Sequence, residues 1–251
     1  LKADGTVWTW GLNNKGQLGT GDNVTKTEPT KAKYAKISED GTMTEEDLTD
    51  VLDIAAGYNF SMVLKKDGTV WTTGYNNCGQ LGNGTTTDSN VFIQVKDSTG
   101  KDYLKDVIQI VAENETAHAL LKSGNVYSWG QNSNGQFGVG NTKNSSYPVQ
   151  MQKVSEVSQI SGGANHLVMM LSDSSVWVVG NNKYGQLGLG NLTTQTIPQR
   201  MLASGAKEVA CGANHTIVLK TDGTVWSTGY NGTSGKVNQY YVLGLGGSGS
   251  S

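Results

Sequence analysis

Cysteine is nearly absent. Cys78 and Cys211 are the only two in 251 residues, and two isolated thiols make neither a disulfide framework nor a zinc pattern. Charge is also sparse, at 16% of residues, with a formal net charge of −2. No run of basic residues occurs, so the chain lacks the clustered Lys and Arg with which a protein displaces counterions from a phosphate backbone. Nucleic acid is therefore not an expected partner. No stretch approaches the ~18 apolar residues of a membrane span. No signal peptide is visible, but the chain starts inside a repeat, so this says nothing about export. The familiar catalytic signatures are missing as well. There is no Gly-x-Ser-x-Gly elbow and no His-Glu-x-x-His pair, and no Lys follows the Gly-rich stretches 16–21 and 185–190. The expectation is a non-enzyme with no catalytic residue, no metal ligand and no cofactor.

What the chain has in excess is glycine, 34 residues, against an average near ~7%. The glycines punctuate short β-prone runs, as tight turns between strands require. They recur in register. Aligned on an aromatic, the anchors are Trp8, Trp71, Tyr127, Trp177 and Trp226, spaced by 63, 56, 50 and 49 residues. Leu18, Leu81, Phe137 and Leu187 follow the first four anchors, each inside Gly-Gln-apolar-Gly. Before the anchors come Asp4-Gly5, Asp67-Gly68, Ser123-Gly124, Asp173-Ser174 and Asp222-Gly223. Asp-Gly between two β-prone runs predicts a hairpin, because both turn residues tolerate φ > 0. An apolar run upstream of each hairpin and another after each Gly-rich loop bring the count to four short strands per repeat. That is the composition of a propeller blade.

The segments Gly212-Ala213-Asn214-His215, Asp222-Gly223-Thr224-Val225-Trp226 and the Asn-x-x-Gly-Gln-apolar-Gly loops at Asn13, Asn76, Asn132 and Asn182 resemble the regulator of chromosome condensation repeat. The resemblance implies an all-β fold, a β-propeller of four-stranded blades, and a ring of about seven blades. Five anchors suggest an arc of such a ring, or a smaller ring closed by its termini. A single propeller domain is expected over 1–246, with a flexible Gly/Ser tail at 247–251. The Lys31 to Asp50 linker, with Thr44 and Asp47 ahead of Leu48, predicts a short helix or turn with an N-cap. Its acidic residues, Glu39 to Asp53, lack calcium-loop order and read as a solvated helix start. Lys96 to Lys105 reads as a second polar insertion, turning at Gly100.

Candidate functional residues lie where copies of the repeat disagree or where aromatics sit in loops. Phe60 takes the place that His166 and His215 hold in their repeats. Glu113 and Glu115 break the Gly-x-x-His turn of the third repeat. They read as an acidic spot for a basic partner or as solvated turn carboxylates. Tyr58, Tyr75, Tyr184, Tyr230, Tyr240 and Tyr241 are loop tyrosines, which bury large area at low entropic cost. His166 and His215 read as repeat-encoded structural histidines bonded between blades, and the Trp residues as blade-to-blade packing. The function expected is a protein-interaction scaffold that binds a protein partner through blade loops on one face. The resemblance also implies guanine-nucleotide exchange on a small GTPase as an alternative. The Asn, Thr, Gly and Ser richness suggests a third reading, a carbohydrate- or surface-binding module of a secreted bacterial protein, with a cytoplasmic setting as the alternative location.

Overall fold

The computed structural model describes residues 1–38 and 40–232. Glu39, Tyr240, Tyr241, the 233–241 loop and the Gly/Ser tail lie outside them. The described residues form strands and turns, without a helix.

The first sheet is two-stranded, β1 (Trp8–Gly11) with β2 (Lys26–Lys31). The insertion that follows forms β3 (Lys33–Ile37) and β4 (Met43–Asp47). The second blade is β5 (Val51–Ala56), β6 (Phe60–Lys65), β7 (Val70–Gly74) and β8 (Ser89–Gln94). The third is β9 (Val107–Glu113), β10 (Thr116–Leu121), β11 (Val126–Gly130) and β12 (Ser145–Gln150). The fourth is β13 (Val157–Gly162), β14 (His166–Leu171), β15 (Val176–Gly180) and β16 (Gln195–Leu202). β17 (Ala206–Gly212), β18 (His215–Lys220) and β19 (Val225–Gly229) make a three-stranded sheet. Within a blade, consecutive strands pair antiparallel, as the hairpin signals require. The fold is all-β and built of β-propeller blades.

The chain divides into two compact units. One comprises Leu1–Ser123, Tyr127–Gln131 and Asn144–Val149; the other comprises Gly124–Val126, Asn132–Lys143 and the chain from Gln150 on. In the first unit Val7, Ala32, Leu48, Val51, Val63 and Phe92 form one core. A larger core joins Phe60, Met62, Leu64 and Leu81 of the second blade to Ile110, Ala117, Ala119 and Trp129 of the third. In the second unit Val168, Val176, Val178 and Leu187 pack against Val209 and Val218. Burying such side chains contributes roughly 1.5–3 kcal/mol each.

The hairpin turns follow their sequence signal. Asp67 Oδ1 accepts from the Thr69 backbone N–H and hydroxyl at 3.0 and 2.7 Å, and Asp222 does the same with Thr224. Gly68 and Gly223 sit at φ +80° and +84°, and Ser174 takes the same place at +63°. A side chain in this region costs about 1 kcal/mol.

Two expectations are met only in part. Of the helix or turn expected in the Lys31 to Asp50 linker, the described residues hold the turn and no helix. Asp40-Gly41 is one more hairpin turn, with Gly41 at φ +81° and the Thr42 N–H donating to Asp40 Oδ1 at 2.9 Å. β3 and β4 then pair so that charges oppose: Lys33 meets Glu45 at 3.3 Å and Lys36 meets Glu46 at 2.8 Å, and Lys31 at the end of β2 meets Asp47 at 2.8 Å. Exposed pairs of this kind are each worth under about 1 kcal/mol, so buried Ala35 and Leu48 do more to seat the hairpin. β3 lies parallel to β8 through the pair Tyr34 and Phe92, extending the second blade to six strands. Of the Trp residues expected to pack between blades, Trp129 is buried in the core with its Nε1–H on the Gln80 carbonyl of the neighbouring blade at 3.0 Å, Trp71 packs against the first core only in part, and Trp10 and Trp226 are exposed. Trp8, Trp71 and Trp177 are half-buried, each with its Nε1–H on the hydroxyl of Thr6, Thr69 or Ser175. Lysine ammonium groups cover their rings, as Lys65 does at 5.7 Å from Trp71.

Candidate functional site

Each Gly-Gln-apolar-Gly loop is tied by a buried asparagine. Asn76 Oδ1 accepts from Leu81 N–H at 2.9 Å while its Nδ2 donates to the Thr87 carbonyl at 2.9 Å. Asn13, Asn132 and Asn182 repeat the knot. The loop glutamine adds a second tie. Gln17, Gln80, Gln136 and Gln186 each accept, through Oε1, the backbone N–H of the residue two before them. That residue is Lys15, Cys78, Asn134 or Tyr184. The residue entering the loop is held from the other side. Tyr75, Gln131, Asn181 and Tyr230 donate their backbone N–H to the carbonyls of Asn59, Glu115, Asn165 and Asn214. One frame therefore presents a different side chain in every copy.

Those side chains meet at the junction of adjacent blades. In the first unit the Lys15 ammonium lies 4.4 Å from the centre of the Tyr75 ring. Cys78 Sγ–H donates to Glu115 Oε2 at 3.4 Å, and burial followed by this carboxylate pushes the thiol up to about 11, so it stays protonated near neutrality. Beside them a cavity of about 300 Å³ is lined by Tyr58, Asn114, Glu115 and Gln131. In the second unit Asn181 Nδ2 donates to Asn134 Oδ1 at 2.9 Å, and the Tyr184 and Tyr230 rings sit 4.9 Å apart at 58°.

Of the residues singled out from the sequence, Tyr58 is 77% exposed, Glu115 is half-buried, and Tyr184 and Tyr230 are half-buried against each other. Phe60 is a correction. It is buried beneath Gly57, where a Cβ would strike its ring, and it belongs to the core. Glu113 is another, since it is neither a solvated carboxylate nor a surface acidic spot. It is buried at the end of β9, with Oε1 3.4 Å from His118 Nε2, and His118 Nδ1 is 2.8 Å from Ser128 Oγ. Burial pushes the Glu113 carboxyl upward and the imidazole pulls it back. Thr116, which replaces the ring found in other blades, bonds the Gln131 carbonyl at 2.7 Å. Sequence reading missed Lys15, Cys78 and Gln131 as site residues; their register beside the loop Gln was the available signal.

His166 is structural. Thr216 spends its hydroxyl proton on the Gln186 carbonyl at 2.8 Å, so the hydroxyl accepts from His166 Nε2–H at 3.0 Å. This assigns the tautomer. The partner is a side chain of the next blade rather than backbone. Burial, and then His215, lower the imidazole to about 4, which keeps it neutral. Among the described residues no three His, Cys, Asp or Glu side chains gather as a metal site. No helix there is long and apolar enough to cross a membrane.

Blades built on a shared Asn and Gln frame define a repeat class. Residues 4–64, 67–113, 123–170 and 173–219 match the Regulator of chromosome condensation (RCC1) repeat, and a second form of that repeat matches 51–80, 107–136, 157–186 and 206–235. The chain belongs to the RCC1 repeat family. It is similar to the X-linked retinitis pigmentosa GTPase regulator of Homo sapiens, 34% identical over 154 residues, which is 61% of this chain and 14% of that protein. It is also similar to the human Regulator of chromosome condensation, 33% identical over 173 residues, 67% of this chain and 37% of that protein. The chain thus spans well under half the length of these two relatives. The crystal structure of human WBSCR16 shares the fold, with TM-score 0.75 and 22% identity, covering 98% of this chain and 61% of that one. These relatives are human and lend nothing to the bacterial setting expected from composition.

Proposed function

We propose that the chain is a non-enzymatic interaction module that binds a protein partner through its blade loops, at the blade ends where turns and Gly-Gln-apolar-Gly loops meet. The carrying observation is the division of labour there. The buried Asn and Gln ties are the same from loop to loop. The side chains they hold out change from Lys15 with Tyr75 to Cys78 with Glu115 to Tyr184 with Tyr230. Structure that is kept while its presented chemistry varies suits recognition, because aromatic and charged anchors on a rigid support bind with little ordering cost. The test starts from a partner recovered by cross-linking and then purified. Tyr58→Ala, Glu115→Ala and Tyr184→Ala should each weaken its binding about tenfold or more, while Lys66→Ala on a hairpin turn leaves it unchanged. Undiminished binding in all three loop variants defeats the reading.

A second reading is supported by the relative named as a GTPase regulator. In that reading the same loops engage a small GTPase and speed nucleotide release. A panel of GTPases loaded with fluorescent GDP separates the two. Accelerated release, lost in the loop variants, favours exchange; binding without release favours the interaction module.

A further inference from the structure

The two insertions that interrupt the repeat come together. The β3–β4 hairpin stands on one side of the rim of the second blade. The turn after β8, closed by a bridge between Lys96 and Tyr103, stands on the other. β3 and β8 share only the register pair Tyr34 and Phe92, and beyond it a cavity of about 490 Å³ opens between them. That volume lies within the ~300–1,000 Å³ of ordinary ligand sites.

Its walls have a definite chemistry. Tyr34 and Trp71 meet edge to face at 5.2 Å, and Ile37 and Ile93 add apolar surface. The Lys65 ammonium stands 5.2 Å from the Tyr34 ring centre. The polar lining is Asn83, Gln94, Lys36 and Lys96, without a carboxylate. Lys36 is already paired with Glu46 at 2.8 Å. Lys96 lies 4.1 Å from the centre of the Tyr103 ring and makes no ion pair within 4 Å among the described residues, although its charge acts on the nearby Asp102. An aromatic and aliphatic floor beside an ammonium with no carboxylate in direct contact is complementary to a carboxylate carried next to an apolar side chain. Gln94 adds a side-chain amide to the lining.

We propose that this cavity is a docking site for an acidic, apolar-containing peptide segment of a protein partner. The carboxylate lies against Lys96 and the apolar side chain lies on Trp71 and Ile93. The inference rests on the protein-binding reading above but uses a separate surface, so Tyr58→Ala tests that reading and Lys96→Glu tests this one. The probe is a fluorescein-labelled peptide alternating Glu with Leu, followed by fluorescence polarisation on the whole chain. It should bind, lose affinity as salt rises, and bind about tenfold more tightly than the same peptide with Gln for Glu. Lys96→Glu should weaken binding about tenfold, whereas Lys207→Glu, the same charge change on the exposed face of β17, should leave it unaltered. Lys96→Gln, with the thermal midpoint measured alongside, separates lost recognition from lost folding. Equal affinity for the neutral peptide, or equal loss in the Lys96 and Lys207 variants, overturns the proposal. Binding of a neutral oligosaccharide in place of the peptide overturns it too.

Discussion

The turn Glu113–Thr116 of the third blade and the turn Gly163–His166 of the fourth hold the same place in the repeat and are built on opposite chemistry. In the fourth, a glycine leaves room for the His166 ring, whose Nε2–H reaches Thr216 at 3.0 Å. In the third, Glu113 stands where that glycine would be, the ring has become Thr116, and His118 supplies a nitrogen from a position that is Met62 or Val168 in neighbouring blades. Three changes in one blade thus replace a ring-on-glycine contact by a buried carboxyl and imidazole. Single-position reading of a repeat misses such compensation, because each change is unfavourable without the others.

The largest effect should come from splitting the compensated set. His118→Met, the residue of the second blade, strands the Glu113 carboxyl and should cost about 3 kcal/mol in urea unfolding near neutrality. Adding Glu113→Gly and Thr116→His should recover most of it. A cost of His118→Met below about 1 kcal/mol would dissolve the comparison.

The two turns should also answer pH with opposite sign. The His166 imidazole is lowered on folding from 6.5 to about 4. Its contribution is present above 6.5 and is lost as pH falls toward 4. It amounts to about 3 kcal/mol at ~1.4 kcal/mol per unit. His166→Phe, as in the second blade, should flatten this acid limb. The Glu113 carboxyl is raised by burial, so its contribution is present below about 4.5 and is lost as pH rises through the folded value. Glu113→Gln should gain stability over the wild type as pH increases. Unfolding midpoints across that range for both variants check the two signs.

The frame should not discriminate between the blades. Asn132→Ala and Asn182→Ala remove equivalent knots and should each cost about 2 kcal/mol, because buried backbone groups lose their partners. The smallest effect should fall at Ser174, held at φ +63° where other hairpins have glycine. Ser174→Gly should raise stability by up to about 1 kcal/mol, whereas Gly124→Ser in the third blade should lower it.

Legibility followed the range of the interactions. Hairpins at Asp67-Gly68 and Asp222-Gly223 and the Asn ties are local, each written within a dozen residues, and the blade period follows from their recurrence. Asp40-Gly41 carried the same signal and was obscured by the acidic residues after it, which resemble a helix start. Their charge complement is legible only once β3 and β4 are in register. The candidate site was partly legible. Tyr58 and Glu115 stand beside the loop-end cavity, but Phe60 and Glu113 are buried. Departure from a repeat marks a position as different without saying which way its side chain goes.

By itself the sequence determined the strand period, the turns, the knotted loops and the membership of a repeat family, all of them consequences of φ preferences and hydrogen bonds between near neighbours. The tertiary structure alone decided what stands next to what: Cys78 beside Glu115 and Tyr184 against Tyr230 across blades, His118 against Glu113 within one blade, and two insertions walling one cavity. The cross-blade pairs lie tens of residues apart along the chain, and Glu113 and His118 sit on adjacent strands. The first two contacts depend on how one blade packs on the next and the others on which strands are brought into register, which no local preference encodes.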